Sequence, residues 1–284
     1  MKMRNVMIAL MGGLLCWSGT VAFGTIADYT AYWSFDNDDN SDASANAYHL
    51  SNGGFTSSGV AGGAALFENV SGSTRRRNIN DMPLIRDVGS AFTTSMWLQG
   101  DFMSQAGGSI GRIIRYWYPD TSGGRSVEVA VGRWNGKIFL GLSENGSDVL
   151  EPAGSVVMND ANAWYHVALA VDLSLPSDQV SLYVTKDSAA GIVTPDTWSP
   201  NYSSIKSYSG PDRMLYIGAV HNNTSGFYVG AIDELAWYSS ALSSAEVGEL
   251  FARGKAGLSI PEPTSLALLV MGAAALGLVR RRQV

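Results

Sequence analysis

Carboxylates, aromatic rings and guanidinium groups are the chemistry-bearing side chains of this sequence, and their spacing favours recognition over catalysis. Hydrolysis of a glycosidic bond needs two carboxyl groups held about 5 to 9 Å apart. Glu128 stands alone between Val127 and Val129, while Asp233 and Glu234 are neighbours that a regular strand would turn to opposite faces. His49, His166 and His221 are too scattered for a zinc set, and no Ser-His-Asp or Cys-His arrangement emerges. His166, within Trp164-Tyr165-His166, reads as a strand residue with a satisfied partner. A different grouping is more productive. Trp134 sits at the shoulder of a turn, and Trp117 and Tyr118 precede the loop Pro119-Asp120-Thr121-Ser122-Gly123, with Arg115 and Arg133 nearby. Aromatic faces take the apolar side of a sugar ring, and a few directed polar groups fix its orientation. The run Arg75-Arg76-Arg77 suits either attraction of an acidic polysaccharide or protection of an edge strand by charge.

These residues need a frame, and the frame reads as β. Tyr29 to Phe35 alternates Ala31, Trp33 and Phe35 with polar positions, although Tyr32 blurs the pattern. Phe92, Met96 and Leu98 mark another strand, and Val127, Val129 and Val131 a third. Asn135-Gly136, residues favoured in tight hairpin turns, precede the apolar run Ile138 to Leu142. Trp164 to Val171 and Val180 to Val184 form a second pair, and Met214 to Gly218 and Phe227 to Trp237 add late strands. Many short strands between Gly, Ser, Asn and Asp turns predict two packed antiparallel sheets, a sandwich or jelly roll. One helix is expected. Ser243 and Glu246 form a capping box, Leu242 can staple onto Val247, and Val247, Leu250 and Phe251 make the apolar stripe, with Gly254 as the stop.

Composition sets the limits. Only 15% of residues are charged against 46% hydrophobic, which is material for a core and not for a disordered chain. Net charge is −6, and setting aside the basic ends leaves the middle near −10, which repels phosphate backbones and makes nucleic acid an unsuitable partner. The one cysteine, Cys16, lies in the N-terminal apolar run, so no disulfide framework is available to the middle.

Both ends read as addresses. Lys2 and Arg4 precede an apolar run from Val6 to Trp17, followed by small residues at Ala22, Gly24 and Ala27, the layout of a secretory signal over residues 1–24. The far end, 260–284, reads Pro261-Glu262-Pro263, an apolar stretch from Leu266 to Val279, and Arg280-Arg281-Arg282. The prolines present an extended peptide, the apolar run predicts a membrane-inserted helix, and the arginines hold it on the cytoplasmic side of the inner membrane.

This tail resembles the PEP-CTERM sorting segment of Gram-negative bacteria, which implies recognition by an exosortase-type processing enzyme and a final place at the cell surface or in the extracellular matrix. An ordinary C-terminal membrane anchor is the competing reading. Between the ends, residues 28–256 carry Tyr32-Trp33-Ser34-Phe35-Asp36, Asp42-Ala43-Ser44-Ala45-Asn46, Ala65-Leu66-Phe67, Phe92-Thr93-Thr94-Ser95-Met96-Trp97, Trp164-Tyr165-His166-Val167-Ala168, Tyr216-Ile217-Gly218 and Gly230-Ala231-Ile232-Asp233-Glu234-Leu235 in that order. The series resembles a laminin-G-like, concanavalin A-like jelly roll. The resemblance implies a structural Ca²⁺ where first and last strands meet, at Asp36 and Asp233 with Asp42 as a third ligand. The family's hydrolase signature of alternating Glu, Asp and Glu on one strand is absent. The expectation is therefore a surface-sorted, lectin-like protein that binds extracellular polysaccharide or envelope glycan and is not an enzyme. A structural or adhesive matrix protein without sugar binding is the first alternative, and a glycoside hydrolase or lyase the second.

Overall fold

Alternation at period two is realised, among the described residues, in fourteen strands of a computed structural model. It describes residues 26, 28–51, 53–56, 58–68, 77–80, 91–103, 110–118, 125–132, 136–144, 147–150, 154–199, 214–218 and 228–261. The strands run β1 Ala31–Trp33, β2 Gly54–Thr56, β3 Ala64–Phe67, β4 Arg77–Asn80, β5 Ala91–Gln99, β6 Ile110–Tyr118 and β7 Arg125–Gly132. They continue as β8 Ile138–Glu144, β9 Ser147–Leu150, β10 Tyr165–Asp172, β11 Val180–Lys186, β12 Asp196–Trp198, β13 Met214–Ile217 and β14 Gly230–Tyr238, and the helix α1 Ser244–Lys255 follows. One sheet has the order β12-β11-β10-β5-β14-β3-β2, with β1 also paired to β14; the other is β4-β13-β6-β7-β8-β9. Every pairing is antiparallel. The expected signal, the apolar tail and its arginines lie outside the described residues.

The main core fills the space between the sheets. Phe92, Met96 and Leu98 of β5 and Val167, Leu169 and Val171 of β10 share one buried cluster with Ile114 of β6, Ile138 and Leu140 of β8, and Leu215 and Ile217 of β13. Side chains of this size each contribute roughly 1.5–3 kcal/mol when fully buried. The outer face of the first sheet is covered as well, by α1 and the chain after it, so Tyr32 packs there while Ala31 and Trp33 enter the main core. Burial on both faces is why Tyr32 blurred the alternation.

Two local expectations are corrected. The first strand stops at Trp33, because Phe35 takes a left-handed conformation (φ 59°) that turns the chain into a short 3-10 segment at Asp36–Asp38. Gly254 does not stop the helix, which continues to Lys255, with the left-handed Gly257 (φ 68°) beyond its end. Gly254 is instead a packing requirement: a Cβ there would lie 2.6 and 2.8 Å from ring carbons of Trp97. The capping box forms as expected, with the Ser243 N–H donating to Glu246 Oε2 (2.8 Å) and the Glu246 N–H to Ser243 Oγ (3.4 Å). β4 is an edge strand that begins with Arg77. Arg75 and Arg76 are outside the described residues.

Candidate functional site

The second sheet brings together residues far apart in sequence. Strand register aligns Asn78 of β4, Tyr216 of β13, Arg115 of β6, Glu128 of β7 and Gly141 of β8 in one row across five strands. The next row of the same parity holds Asn80, Met214, Trp117, Ser126 and Ser143. Arg115 is half-buried and stands mid-sheet. Sequence reading grouped Arg115 with Trp117 and considered Glu128 apart, as a lone carboxylate. It missed the amide residues Asn78 and Asn80, whose only signal is position in an edge strand that pairs with β13. Trp117 and Tyr118 lie in β6 as strand positions, and Trp134 and Arg133 are outside the described residues.

A second polar centre lies on the outer face of the first sheet, where β1, β14 and the end of the described chain meet. Ile232 and Leu235 both enter the main core, so the two residues between them, Asp233 and Glu234, lie together on the other side. The expectation of opposite faces fails because β14 carries a bulge here, with Glu234 at φ 51° and the register to β5 shifting between Asp233 and Ala236. Asp233 Oδ2 accepts the N–H groups of Val60 (2.7 Å) and Ala61 (3.1 Å), and Oδ1 that of Glu234 (2.8 Å). Asp36 Oδ1 accepts Gly63 N–H (3.0 Å). The loop closes so tightly over both acids that a Cβ on Gly62 (φ 106°) would overlap Asp36 Oδ1, and one on Gly59 would lie 2.7 Å from Asp233 Oδ2.

Glu234 Oε2 accepts the Tyr32 hydroxyl (2.7 Å) and the Ile260 N–H (3.0 Å), whereas Oε1 is buried without a hydrogen-bond partner. Burial pushes Asp233 up to about 7, against the pull of its backbone donors and with the help of the Asp36 charge. Burial and the adjacent Asp233 push Glu234 up to about 8, and burial raises the Tyr32 hydroxyl. Left-handed Phe35, Asn37, Asp38 and Glu234 all sit at this junction. Strain of this kind concentrates where structure serves a site.

Asp42 does not join Asp36 and Asp233 as a third arm. Its Oδ1 accepts the N–H groups of Tyr32 (2.9 Å) and Ser44 (2.8 Å), and its Oδ2 accepts the Ser44 hydroxyl (2.6 Å) and Tyr48 N–H (2.9 Å). It organises its own turn. Among the described residues no group of three or more His, Cys, Asp and Glu side chains converges as a metal set. What the fold brings together is the pair Asp36 and Asp233 with Glu234 beside them, and the orphaned Oε1 is the one carboxylate oxygen there with no donor. A hard cation takes six to eight oxygens, so such a pair fits only with backbone carbonyl or water oxygens added.

His166 has the partner expected of it. Its Nε2 lies 2.9 Å from Ser95 Oγ, its ring centroid is 5.1 Å from that of Trp97, and burial lowers its pKa to about 3.

A family model described as the concanavalin A-like lectin/glucanases superfamily matches residues 71–248, and one for the PEP-CTERM protein-sorting motif matches residues 259–283. Among solved structures the chain is similar to a botulinum neurotoxin type G receptor binding domain, with TM-score 0.53 and 12% identity over 80% of this chain and 51% of that one. It is also similar to a Trypanosoma rangeli sialidase in complex with the inhibitor DANA, with TM-score 0.54 and 14% identity over 81% of this chain and 33% of the other. The chain thus spans about half the length of the neurotoxin structure and a third of the sialidase. At these identities the likeness is one of fold. No curated protein matches the sequence.

Proposed function

Because this chain belongs to the concanavalin A-like lectin/glucanases superfamily, over residues 71–248, and carries a sorting motif that points to export and surface display, we propose that it binds extracellular polysaccharide or envelope glycan at the surface. The observation that carries this reading is the row Asn78, Tyr216, Arg115, Glu128 and Gly141, with Trp117 on the next row of the same parity. Asn, Arg, Glu and Trp at neighbouring register positions are residue types that sugar recognition uses, and Tyr216, which is buried, stands among them as a packing residue. Trp134 and Arg133, an aromatic and a guanidinium residue adjacent in sequence, are proposed as further sugar contacts on their residue types alone.

A glycan array read with the mature domain and with Arg115→Ala tests the proposal. The expected result is saturable binding to a polysaccharide class, weakened about tenfold or more by loss of a charged hydrogen-bonding group, with an unchanged melting temperature. Silence across diverse polysaccharides would favour an adhesive matrix protein. Release of reducing ends, lost in Glu128→Gln, would make it a hydrolase instead, the other activity in the superfamily's description. Ca²⁺ is assigned to the pair Asp36 and Asp233, its remaining ligands being backbone carbonyl or water oxygens. Its presence predicts a higher melting temperature in calcium than in chelator, and equal values would remove it from the assignment.

A further inference from the structure

The helix ends at Lys255, yet the packing continues to Ile260. The Arg253 guanidinium donates to the Ser259 carbonyl through Nη2 (2.9 Å) and Nε (3.3 Å). The Ser259 hydroxyl donates to Asp36 Oδ2 (3.3 Å), and the Ile260 N–H donates to Glu234 Oε2 (3.0 Å) and Tyr32 Oη (3.2 Å). The Ile260 side chain is 8% exposed, in the cluster of Tyr29, Tyr32, Leu242 and Val247. The next residue, Pro261, is exposed and is the first residue of the Pro-Glu-Pro motif. Among the described residues, Ile260 is the last whose backbone is held in this way, one residue before the motif begins.

We propose that the folded domain clasps its own chain at Ser259–Ile260, so that domain and sorting motif are presented together, as one substrate, to the membrane enzyme that processes the tail. Geometry narrows the encounter. From Ile260 to Leu266, where the apolar stretch starts, the chain can span at most roughly 20 Å. A membrane enzyme acting on the motif therefore meets the face around the clasp: the Asp36–Asp38 segment, the Gly59–Gly62 loop and the turn after α1. That turn carries Leu258, one of the few large apolar side chains exposed among the described residues. Ile26 packs against the same cluster as Ile260, so both ends of the described chain lie on this face.

The proposal rests on the tail being a processed sorting signal, and the test separates the two. Full-length precursor is expressed with an exosortase-type enzyme, and tail removal is followed by mass spectrometry of the C-terminus. Replacing Pro261, Glu262 and Pro263 by Ala checks the tail itself: unchanged tail removal would mean that the motif is not the processing signal, and loss of removal shows that it is. In the intact-motif chain, a flexible Gly-Ser linker of about 12 residues, about 20 Å in root-mean-square span, is inserted between Ile260 and Pro261. It leaves clasp and motif intact but uncouples them. Processing is expected to slow by about tenfold, a scale typical of a mispositioned substrate, at unchanged melting temperature. Processing at the original rate, or faster, overturns the proposal. Arg253→Ala is the second variant. It is expected to speed hydrogen exchange at the Ile260 amide and to slow processing, and faster exchange with unaltered processing also overturns it.

Discussion

Asp42 spends both carboxylate oxygens on four donors of its own turn and β1. Asp42→Ala strands several of them and is expected to lower unfolding free energy by about 2–3 kcal/mol in urea titrations, with Asn milder. His166 gives a pH signature. Its folded pKa of about 3 lies below the ordinary 6.5, so from pH 6.5 down to 3 the unfolded chain binds the extra proton. Its contribution is therefore fully present above pH 6.5 and lost on acidification, by up to about 1.4 kcal/mol per pH unit. His166→Gln should flatten that part of the stability profile, as read by denaturant midpoints from pH 4 to 7. The sequence could suggest a satisfied strand histidine here, but not its depressed pKa, because Trp97 and Phe251 reach it from β5 and α1.

At the scale of elements, the strands were legible wherever one side chain in two is apolar, and so was the helix start. Ser243→Ala should cost about 1 kcal/mol through loss of the cap. The helix end was not legible, since the role of Gly254 depends on a tryptophan in β5 that no local pattern reveals. Competing magnitudes make Gly254→Ala informative. Helix propensity favours Ala by about 1 kcal/mol, whereas forcing a methyl into a packed indole costs typically about 1–3 kcal/mol. Trp97 is 1% exposed and has nowhere to move, so net destabilisation is expected in thermal melts. The bulge in β14 was equally hidden. Period-two reasoning separates Asp233 from Glu234, and only the extra residue between Ile232 and Leu235 puts them on one side.

At the scale of the molecule, the order of family landmarks was readable along the chain, but the candidate sugar-binding row was not. It joins β4, β13, β6, β7 and β8, whose sequence positions run from 77 to 217 and whose neighbours are set by topology. The extent of the folded unit also emerged only in three dimensions. A chain ended after Ile260 should be more stable than one ended after Ala256 by about 2–3 kcal/mol, the worth of one buried Ile side chain with its hydrogen bonds. Denaturation of the two truncations in parallel measures this directly.

The shared place of Ile26 and Ile260 at one cluster has a mechanical side. A protein fixed by its tail and pulled through a bound polymer is loaded from Ile260 inward, along Ser259 and the Arg253 contact to the helix end. The first bonds to part under tension are then the clasp's own, one after another, while the pairing of β14 with β1, β3 and β5 still shields the interior. A slack of a few residues would thus be released before the sandwich feels the pull, as a built-in fuse between anchor and domain.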